Sequence, residues 1–438
     1  MSTSDLQYIM APGGTLRGQI DVPGDKSVSH RAIMLGALAE GQTQVSGFLE
    51  GKDSLNTLKA FQAMGVDIAH PEPGQLVIEG RGLYGLQAPE APIDLGNSGT
   101  AMRLMSGVLA GQTFDSVLGG DQSLSARPMG RITEPLSAMG AEIQSETNGR
   151  PPLRIQGGLQ LQGIDYELPM ASAQVKSALL LAGLYASGET RVTEPAVTRD
   201  HTERMLQGFG YEVRREGLTT ALTGGGTLTG TSVHVPSDLS SAAFFIIGAS
   251  IAQGADITLR RVGLNPTRTG VLDILKLMGG DVEINQRDES GGEPVADITV
   301  RSAELRGVEI PESLVSLAID EFPALFVAAA CATGETVLSG AEELRVKESD
   351  RIQVMVDALT QLGIAAESRP DGAVIQGGKL QGGVVDSHGD HRVAMAMAMA
   401  GLAARESITV LDCANVDTSF PGFATLAQTH GLHLSLRD

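Results

Sequence analysis

The chain has 438 residues, 42% of them hydrophobic, 55 glycines and a formal charge of −20 at pH 7; that length exceeds one ordinary core and predicts at least two turn-rich globular domains. The negative charge, the absence of Trp and the 3% aromatic content exclude a general nucleic-acid binder, which needs clustered cations for phosphates and rings for base stacking. Cys331 and Cys413 sit in apolar stretches without metal-ligand spacing, which fits a reducing, cytoplasmic setting. Met1 to Met10 has no basic start followed by an apolar run, so no secretory signal is expected. The uncharged run Leu239 to Ala255 carries Ser, Gln and Gly and reads as a buried helix leaving a turn, not as a membrane span.

In chain order, the first informative stretch is Val22-Pro-Gly-Asp-Lys-Ser-Val-Ser-His-Arg-Ala-Ile-Met-Leu-Gly36. Pro23-Gly24 ends a strand, Asp25 or Ser27 can cap the following helix, and Ala32, Ile33, Leu35 and Leu38 give that helix an apolar side. Lys26 and Ser27 then stand at a helix N-terminus, and Arg31 leans back toward it from one turn on. Donors and free backbone amides converge there, as an anion site requires; solvated surface charges are the alternative. The unit then recurs: a polar start, an Ala- and Leu-rich helix ending at Gly, a β-branched run, and a second helix closing on an apolar residue plus Gly, with His in the last copy. Those closures are Met64-Gly65, Met139-Gly140, Phe209-Gly210, Met278-Gly279, Leu362-Gly363 and His430-Gly431, spaced 68 to 84 residues apart. That period is too long for a solenoid repeat and suits a small α/β subdomain used six times.

The six polar helix starts are Gly24-Asp-Lys-Ser, Gly96-Asn-Ser-Gly-Thr, Met170-Ala-Ser-Ala-Gln, Ser237-Asp-Leu-Ser-Ser, Ile319-Asp-Glu-Phe-Pro and Ser387-His-Gly-Asp-His-Arg. Packed as two groups of three, their N-termini would gather dipoles that each contribute about 0.3 to 2 kcal/mol to anion binding. Asn97 to Thr100 is a small-residue entry where a ligand can approach the backbone, or simply an N-cap; Arg103, Arg127 and Arg131 follow it. Ser172 and Gln174 are neutral donors or caps in the same sense, with Lys176 and then Thr198-Arg-Asp-His-Thr202 downstream. Asp320, Glu321, Lys347 and Glu348 are the candidates for proton transfer, with Lys347 and Arg351 expected on one helix face; a solvated run of ion pairs is the alternative. His388 and His391 raise a metal site, but no third ligand cluster supports it. Gly80-Arg-Gly-Leu-Tyr-Gly85 matches a dinucleotide fingerprint, yet Leu-Gln-Ala-Pro-Glu-Ala-Pro92 follows and cannot open the helix that the motif needs.

Pro23-Gly-Asp-Lys-Ser27 with His30-Arg31, Gly96-Asn-Ser-Gly-Thr100, Arg127-Pro128, Ser172-Ala-Gln174, Asp320-Glu321, Arg345-Val-Lys-Glu-Ser-Asp-Arg351, Asp390-His-Arg392 and Ser419-Phe-Pro421 stand in one order along the chain. Together they resemble the 5-enolpyruvylshikimate-3-phosphate synthase family. The resemblance implies an α/β fold: a two-domain inside-out barrel, the enolpyruvyl transferase fold, of six βαβαββ repeats, three per domain. Residues 21–236 would form the first domain and residues 1–20 plus 237–438 the second, with the active site in the cleft. It further implies transfer of the enolpyruvyl group of phosphoenolpyruvate to the 5-hydroxyl of shikimate 3-phosphate, without cofactor or metal, by a cytoplasmic monomer with no nucleic-acid or membrane partner.

By position, the resemblance assigns Lys26, Ser27, Arg31, Ser172, Ala173, Gln174, Arg199, Asp320 and Lys347 to shikimate 3-phosphate. Lys26, Asn97, Gly99, Gln174, Arg127, Arg351 and Arg392 would serve phosphoenolpyruvate, the guanidinium groups gripping carboxylate and phosphate in bidentate fashion. The chemistry asks for a proton on the phosphoenolpyruvate methylene carbon, attack by the 5-hydroxyl at C2, and loss of phosphate from a tetrahedral intermediate. Glu348 is assigned to the methylene carbon, and Asp320 with Lys347 to the hydroxyl. Two departures stand out: Thr418 replaces a Lys found in many members, and Ala173 replaces a Ser of another branch. Gly99 lacks the methyl that narrows the pocket of glyphosate-resistant members, so sensitivity is expected. The nearest rival, UDP-N-acetylglucosamine 1-carboxyvinyltransferase, typically carries a Cys ahead of the Arg127 position, where this chain reads Gly119-Gly-Asp-Gln-Ser-Leu-Ser-Ala126. The rival of another class is a non-catalytic anion-binding repeat protein.

Overall fold

The computed structural model describes residues 6–290 and 292–437, so residues 1–5 of the N-terminal stretch read above lie outside the described residues. The chain divides into two compact units. The N-unit comprises 24–235 with 290–293, and the C-unit comprises the residues up to 23, 236–289 and 294 onward. Each unit closes around its own apolar core, one built from residues between Val28 and Val235, the other from residues between Tyr8 and Leu434.

The sheets are mixed and share one plan. In the N-unit, Gln42–Ser46 pairs in parallel with Ser232–His234, bringing Val45 beside Val233. On its other side it pairs antiparallel with Gln75–Glu79, which carries Asp67–Ala69 at the edge. Thr43 and Val45 point inward while Gln42 and Gln44 face out, the period of two that a half-buried strand requires. Ser116–Gly119 and Glu189–Thr193 occupy the equivalent central position in the other two N-unit sheets. In the C-unit, Asp256–Gly263 lies parallel to Arg17–Ile20, and Ile408–Leu411 lies parallel to Gly383–Asp386. The three-stranded C-unit sheet, centred on Gly372–Gln376, has the isolated parallel bridges Arg306–Thr333 and Glu309–Val337 where a fourth strand would lie. Gln7–Gly14 runs between Ile408–Leu411 and Leu432–Arg437, tying the start of the chain to its end.

Six helices run through the cores: Lys26–Leu38, Gly99–Ala110 and Ala173–Gly183 in the N-unit, Leu239–Ile251, Phe322–Cys331 and His391–Ala400 in the C-unit. Each is buried over almost its whole circumference, which explains why Ala, Leu, Met and Gly replace the usual amphipathic stripe. Gly107 is needed at one crossing, because a Cβ there would stand 2.1 Å from the carbonyl oxygen of Ala178 on the neighbouring helix. The second helices stop as read from the sequence. Gly65, Gly140, Gly210, Gly279, Gly363 and Gly431 all have positive φ just past a helix end, where a side chain would be strained.

Buried helices leave only their ends for polar chemistry, and those ends begin with capping residues. Asp25 accepts from the amide of Val28, Ser98 from Ala101, Asp238 from Ser240 and Asp390 from Arg392. Ser172 and Glu321 stand at the same position without making a side-chain cap. Gly80–Gly85 lies in the irregular segment between the strands Gln75–Glu79 and Ile93–Asp94, and no helix follows it. Among the described residues no helix is long and apolar enough to cross a membrane.

Candidate active site

In the N-unit, side-chain contacts draw the three helix starts together. Lys26 begins its helix and meets the carboxylate of Asp53 at 2.9 Å. Arg31, one turn on, is almost fully buried and donates from Nε to Thr202 (2.7 Å), from Nη2 to Ser177 (2.9 Å) and from Nη1 to the carbonyl of Ser27 (3.0 Å). Burial pulls its guanidinium down to about 10, which leaves it charged at neutral pH. Gln174 links the next two helices: it accepts from Arg103 at 2.6 Å and donates to Thr100 at 3.0 Å. Arg127 donates to both the side chain and the carbonyl of Asn97 and to Ser123 (3.1 Å). Gly99 sits between the two arginines, where a Cβ would meet Arg103 Nη1 at 2.9 Å and Arg127 Nη1 at 3.1 Å. Arg199 lies close enough to Arg31 for the two like charges to oppose one another.

The C-unit gathers its candidates around Asp320. Arg351 Nη1 lies 3.2 Å from that carboxylate, Lys347 Nζ 3.7 Å and Arg392 Nη2 3.8 Å, and Arg392 Nη1 also donates to the Asp320 carbonyl at 3.0 Å. Glu348 contacts Arg351 Nη2 at 2.5 Å, while Lys347 is held by Glu343 at 2.7 Å. Behind them Asp390 takes Arg351 Nε at 2.8 Å, both groups being almost fully buried. Burial works against each of these charges, yet each stabilises the other's ionised form. The result is an Asp390 carboxyl held below the usual range and an Arg351 guanidinium held above it. Lys347 closes a 3-10 turn, Glu342–Val346, and Arg351 opens the helix Arg351–Gln361. The expected single helix face is therefore replaced by a bend, through which both cations still reach Asp320.

These carboxylates differ in their exposure to solvent. Glu348 keeps about a quarter of its side chain exposed and Asp320 about a sixth, at 26% and 16%, whereas Asp390 has none. The first two can exchange protons with a ligand and the third cannot, which suits them to acid-base chemistry beside it.

The comparisons with known proteins decide the family. The family model for EPSP synthase (3-phosphoshikimate 1-carboxyvinyltransferase) matches residues 10–426. The chain belongs to the EPSP synthase family. It is 64% identical to the 3-phosphoshikimate 1-carboxyvinyltransferase of Alkalilimnicola ehrlichii, over 99% of this chain and 97% of that relative. It is 63% identical to the one of Nitrosococcus oceani, with the same coverage. The solved structure of EPSP synthase from Acinetobacter baumannii superposes with a TM-score of 0.88 at 56% identity, covering 99% of this chain and all of that one. The fold is thus the α/β enolpyruvyl transferase fold.

Thr418, expected from the resemblance to be a departure, is buried and donates to the carbonyl of Asn415 at 2.6 Å. Three contacts escaped the reading of the sequence. Asp53 lies in the first turn of the helix Lys52–Ala63, where an acid is ordinarily a dipole partner. Asp390, part of the polar start Ser387–Arg392, caps its helix and also anchors Arg351. Glu321, read as a candidate for proton transfer, is 2% exposed and bonds to Ser240 instead. His388 is exposed with positive φ and His391 is buried; among the described residues no group of His, Cys, Asp and Glu could hold a metal ion.

Proposed function

We propose that this chain transfers the enolpyruvyl group of phosphoenolpyruvate to the 5-hydroxyl of shikimate 3-phosphate. It releases phosphate and 5-enolpyruvylshikimate 3-phosphate, and serves chorismate and aromatic amino acid biosynthesis in the cytoplasm as a monomer. The observation that carries the reading is the C-unit cluster, with the partly exposed carboxylates Asp320 and Glu348 among Lys347, Arg351 and Arg392. A protein that only held anions would need the cations and not the exposed acids.

In this reading residues of both units act on one pair of ligands. Lys26, Ser27, Arg31, Ser172, Ala173, Gln174 and Arg199 hold shikimate 3-phosphate with Asp320 and Lys347. Lys26, Asn97, Gly99, Arg127, Gln174, Arg351 and Arg392 hold phosphoenolpyruvate. Helix N-termini supply amides and partial positive charge to the phosphates. The bound anions raise the proton affinity of Glu348, which protonates the methylene carbon and leaves cationic character at C2. Asp320, with Lys347, receives the proton of the attacking 5-hydroxyl. After the tetrahedral intermediate forms, loss of a methyl proton and of phosphate restores the vinyl group. Exclusion of water protects the intermediate. The finer architecture that goes with this reading is an inside-out barrel of six βαβαββ repeats, three each from 21–236 and from 1–20 plus 237–438.

The test is phosphate release from phosphoenolpyruvate with either shikimate 3-phosphate or UDP-N-acetylglucosamine as acceptor. Release with the first alone is expected. Release only with the second would replace the reading by that of its nearest rival, and release with neither would leave an anion-binding protein.

A further inference from the structure

We infer that Glu321 is a positioning residue for Arg392, held in place by Ser240. The inference rests on the reading of Arg392 as a phosphoenolpyruvate ligand. Glu321 occupies the N-cap position of Phe322–Cys331, yet its carboxylate makes no bond to the amides of that helix. It turns away, accepts the hydroxyl of Ser240, and lies 3.8 Å from Arg392 Nη1. Ser240 in turn accepts from Arg268 Nη2 at 2.6 Å, and Arg268 donates to Asp238 at 2.8 Å. The path joins the N-termini of Leu239–Ile251, Phe322–Cys331 and His391–Ala400 within the C-unit.

Burial gives this chain of charges its purpose. Glu321 and Ser240 are each 2% exposed and Arg268 is 3% exposed, so an ionised carboxylate here persists only by being hydrogen-bonded and set against a cation. Arg392 is the cation that reaches outward from it, with Nη1 between the Asp320 carbonyl and Glu321, and Nη2 toward the Asp320 carboxylate. Asp320 is partly exposed and belongs to the proposed proton transfer, so its charge varies through the reaction. Glu321 is sealed away from solvent and keeps Arg392 oriented whatever the charge of Asp320. A planar guanidinium depends on such fixing, because bidentate recognition of carboxylate or phosphate fails when the fork rotates.

The test is a double-mutant cycle on the full chain, with phosphate release followed while phosphoenolpyruvate is varied at saturating shikimate 3-phosphate. Glu321→Gln keeps the size of the side chain and an acceptor for Ser240 while removing the charge. It is expected to raise KM for phosphoenolpyruvate about tenfold, a coupling of ordinary size for neighbouring charged groups. The KM for shikimate 3-phosphate should stay near wild type while that for phosphoenolpyruvate rises, a split that a merely structural role would not give. In the Arg392→Ala background the same change should add less than about twofold. An unchanged KM in folded Glu321→Gln, or the same factor in both backgrounds, would overturn the inference while leaving the role of Arg392 intact. If Arg392→Ala alone leaves the KM unchanged, the reading of Arg392 fails and the inference falls with it. Should Glu321→Gln not fold, Ser240→Ala carries the test: a rise of about threefold that vanishes in Arg392→Ala supports the inference, and an additive or absent effect overturns it.

Discussion

The polar clusters of the two units differ in how many carboxylates their cations meet, although Lys26 in the N-unit also meets one, that of Asp53. In the N-unit, Arg31 rests on two hydroxyls and a carbonyl, Arg103 on the amide of Gln174, and Arg127 on Asn97 and Ser123. In the C-unit, Arg351 contacts three carboxylates, those of Asp390, Glu348 and Asp320, and Lys347 contacts two, those of Glu343 and Asp320. Neutral partners orient a cation without cancelling its field, which is the character that the proposed anion binding asks of Arg31. A nearby cation favours the ionised form of a carboxylate and a nearby anion the protonated form, which is the balance that the proposed proton transfer by Asp320 and Glu348 would use. In the proposed reading, one binding surface and one acid-base surface are made from the same starting plan, a buried helix with a polar N-terminus.

The contrast can be broken most sharply at Glu348. Glu348→Gln should lower kcat by about a hundredfold to ten-thousandfold, the usual cost of losing a general acid, while calorimetry finds shikimate 3-phosphate binding close to wild type. The N-unit counterpart is Arg127→Lys, which keeps the charge and loses the fork. Steady-state kinetics should show KM for phosphoenolpyruvate rising about thirtyfold with a smaller change in kcat.

Acid should separate the units as well. Burial first, then the charges of Lys26 and Arg31, lower His30 in the N-unit from 6.5 to about 3. The fold therefore holds His30 neutral while the unfolded chain takes a proton. Its contribution is complete above pH 6.5 and is lost as pH falls toward 3, by about tenfold in the unfolding equilibrium per pH unit. Asp390 in the C-unit is held below the ordinary carboxylate range, so its contribution persists to lower pH and goes only as pH falls through its depressed value. Hydrogen exchange from pH 7 to 4 should show the N-unit loosening first, and His30→Gln should flatten that slope. The smallest expected effect is at Gly99. A methyl there would press on the ends of Arg103 and Arg127, which can yield by bending. Gly99→Ala should thus raise KM for phosphoenolpyruvate about fivefold, weaken inhibition by glyphosate by at least as much, and leave the melting temperature unchanged.

Much of this was legible in the amino acids because it is local. Helix closures at Gly65, Gly140 and Gly210 follow from backbone sterics, and caps such as Asp25 and Ser98 from the demand of the first helical amides. The gathering of Lys347, Arg351 and Asp320 agrees with their expected closeness, while the expectation that Lys26 and Arg127 share their function came from the resemblance in motif order along the chain. What could not be read is long-range pairing. Nothing near Arg31 announces Thr202, 171 positions away. Glu321, adjacent to Asp320 and chemically alike, turns the opposite way because Ser240, 81 positions earlier, is there to meet it. The bend between Lys347 and Arg351 escaped for a different reason: a spacing of four suggests a helix, but Asp350 caps a new one by accepting from Gln353.

The division of labour is tested most directly by following solvent deuterium into the methylene group of phosphoenolpyruvate, with shikimate 3-phosphate bound. Reversible protonation at that carbon should label the recovered phosphoenolpyruvate in the wild-type protein. Glu348→Gln should show no label above background while still binding shikimate 3-phosphate. Labelling by Glu348→Gln at the wild-type rate would contradict the account, because the proton would then come from elsewhere.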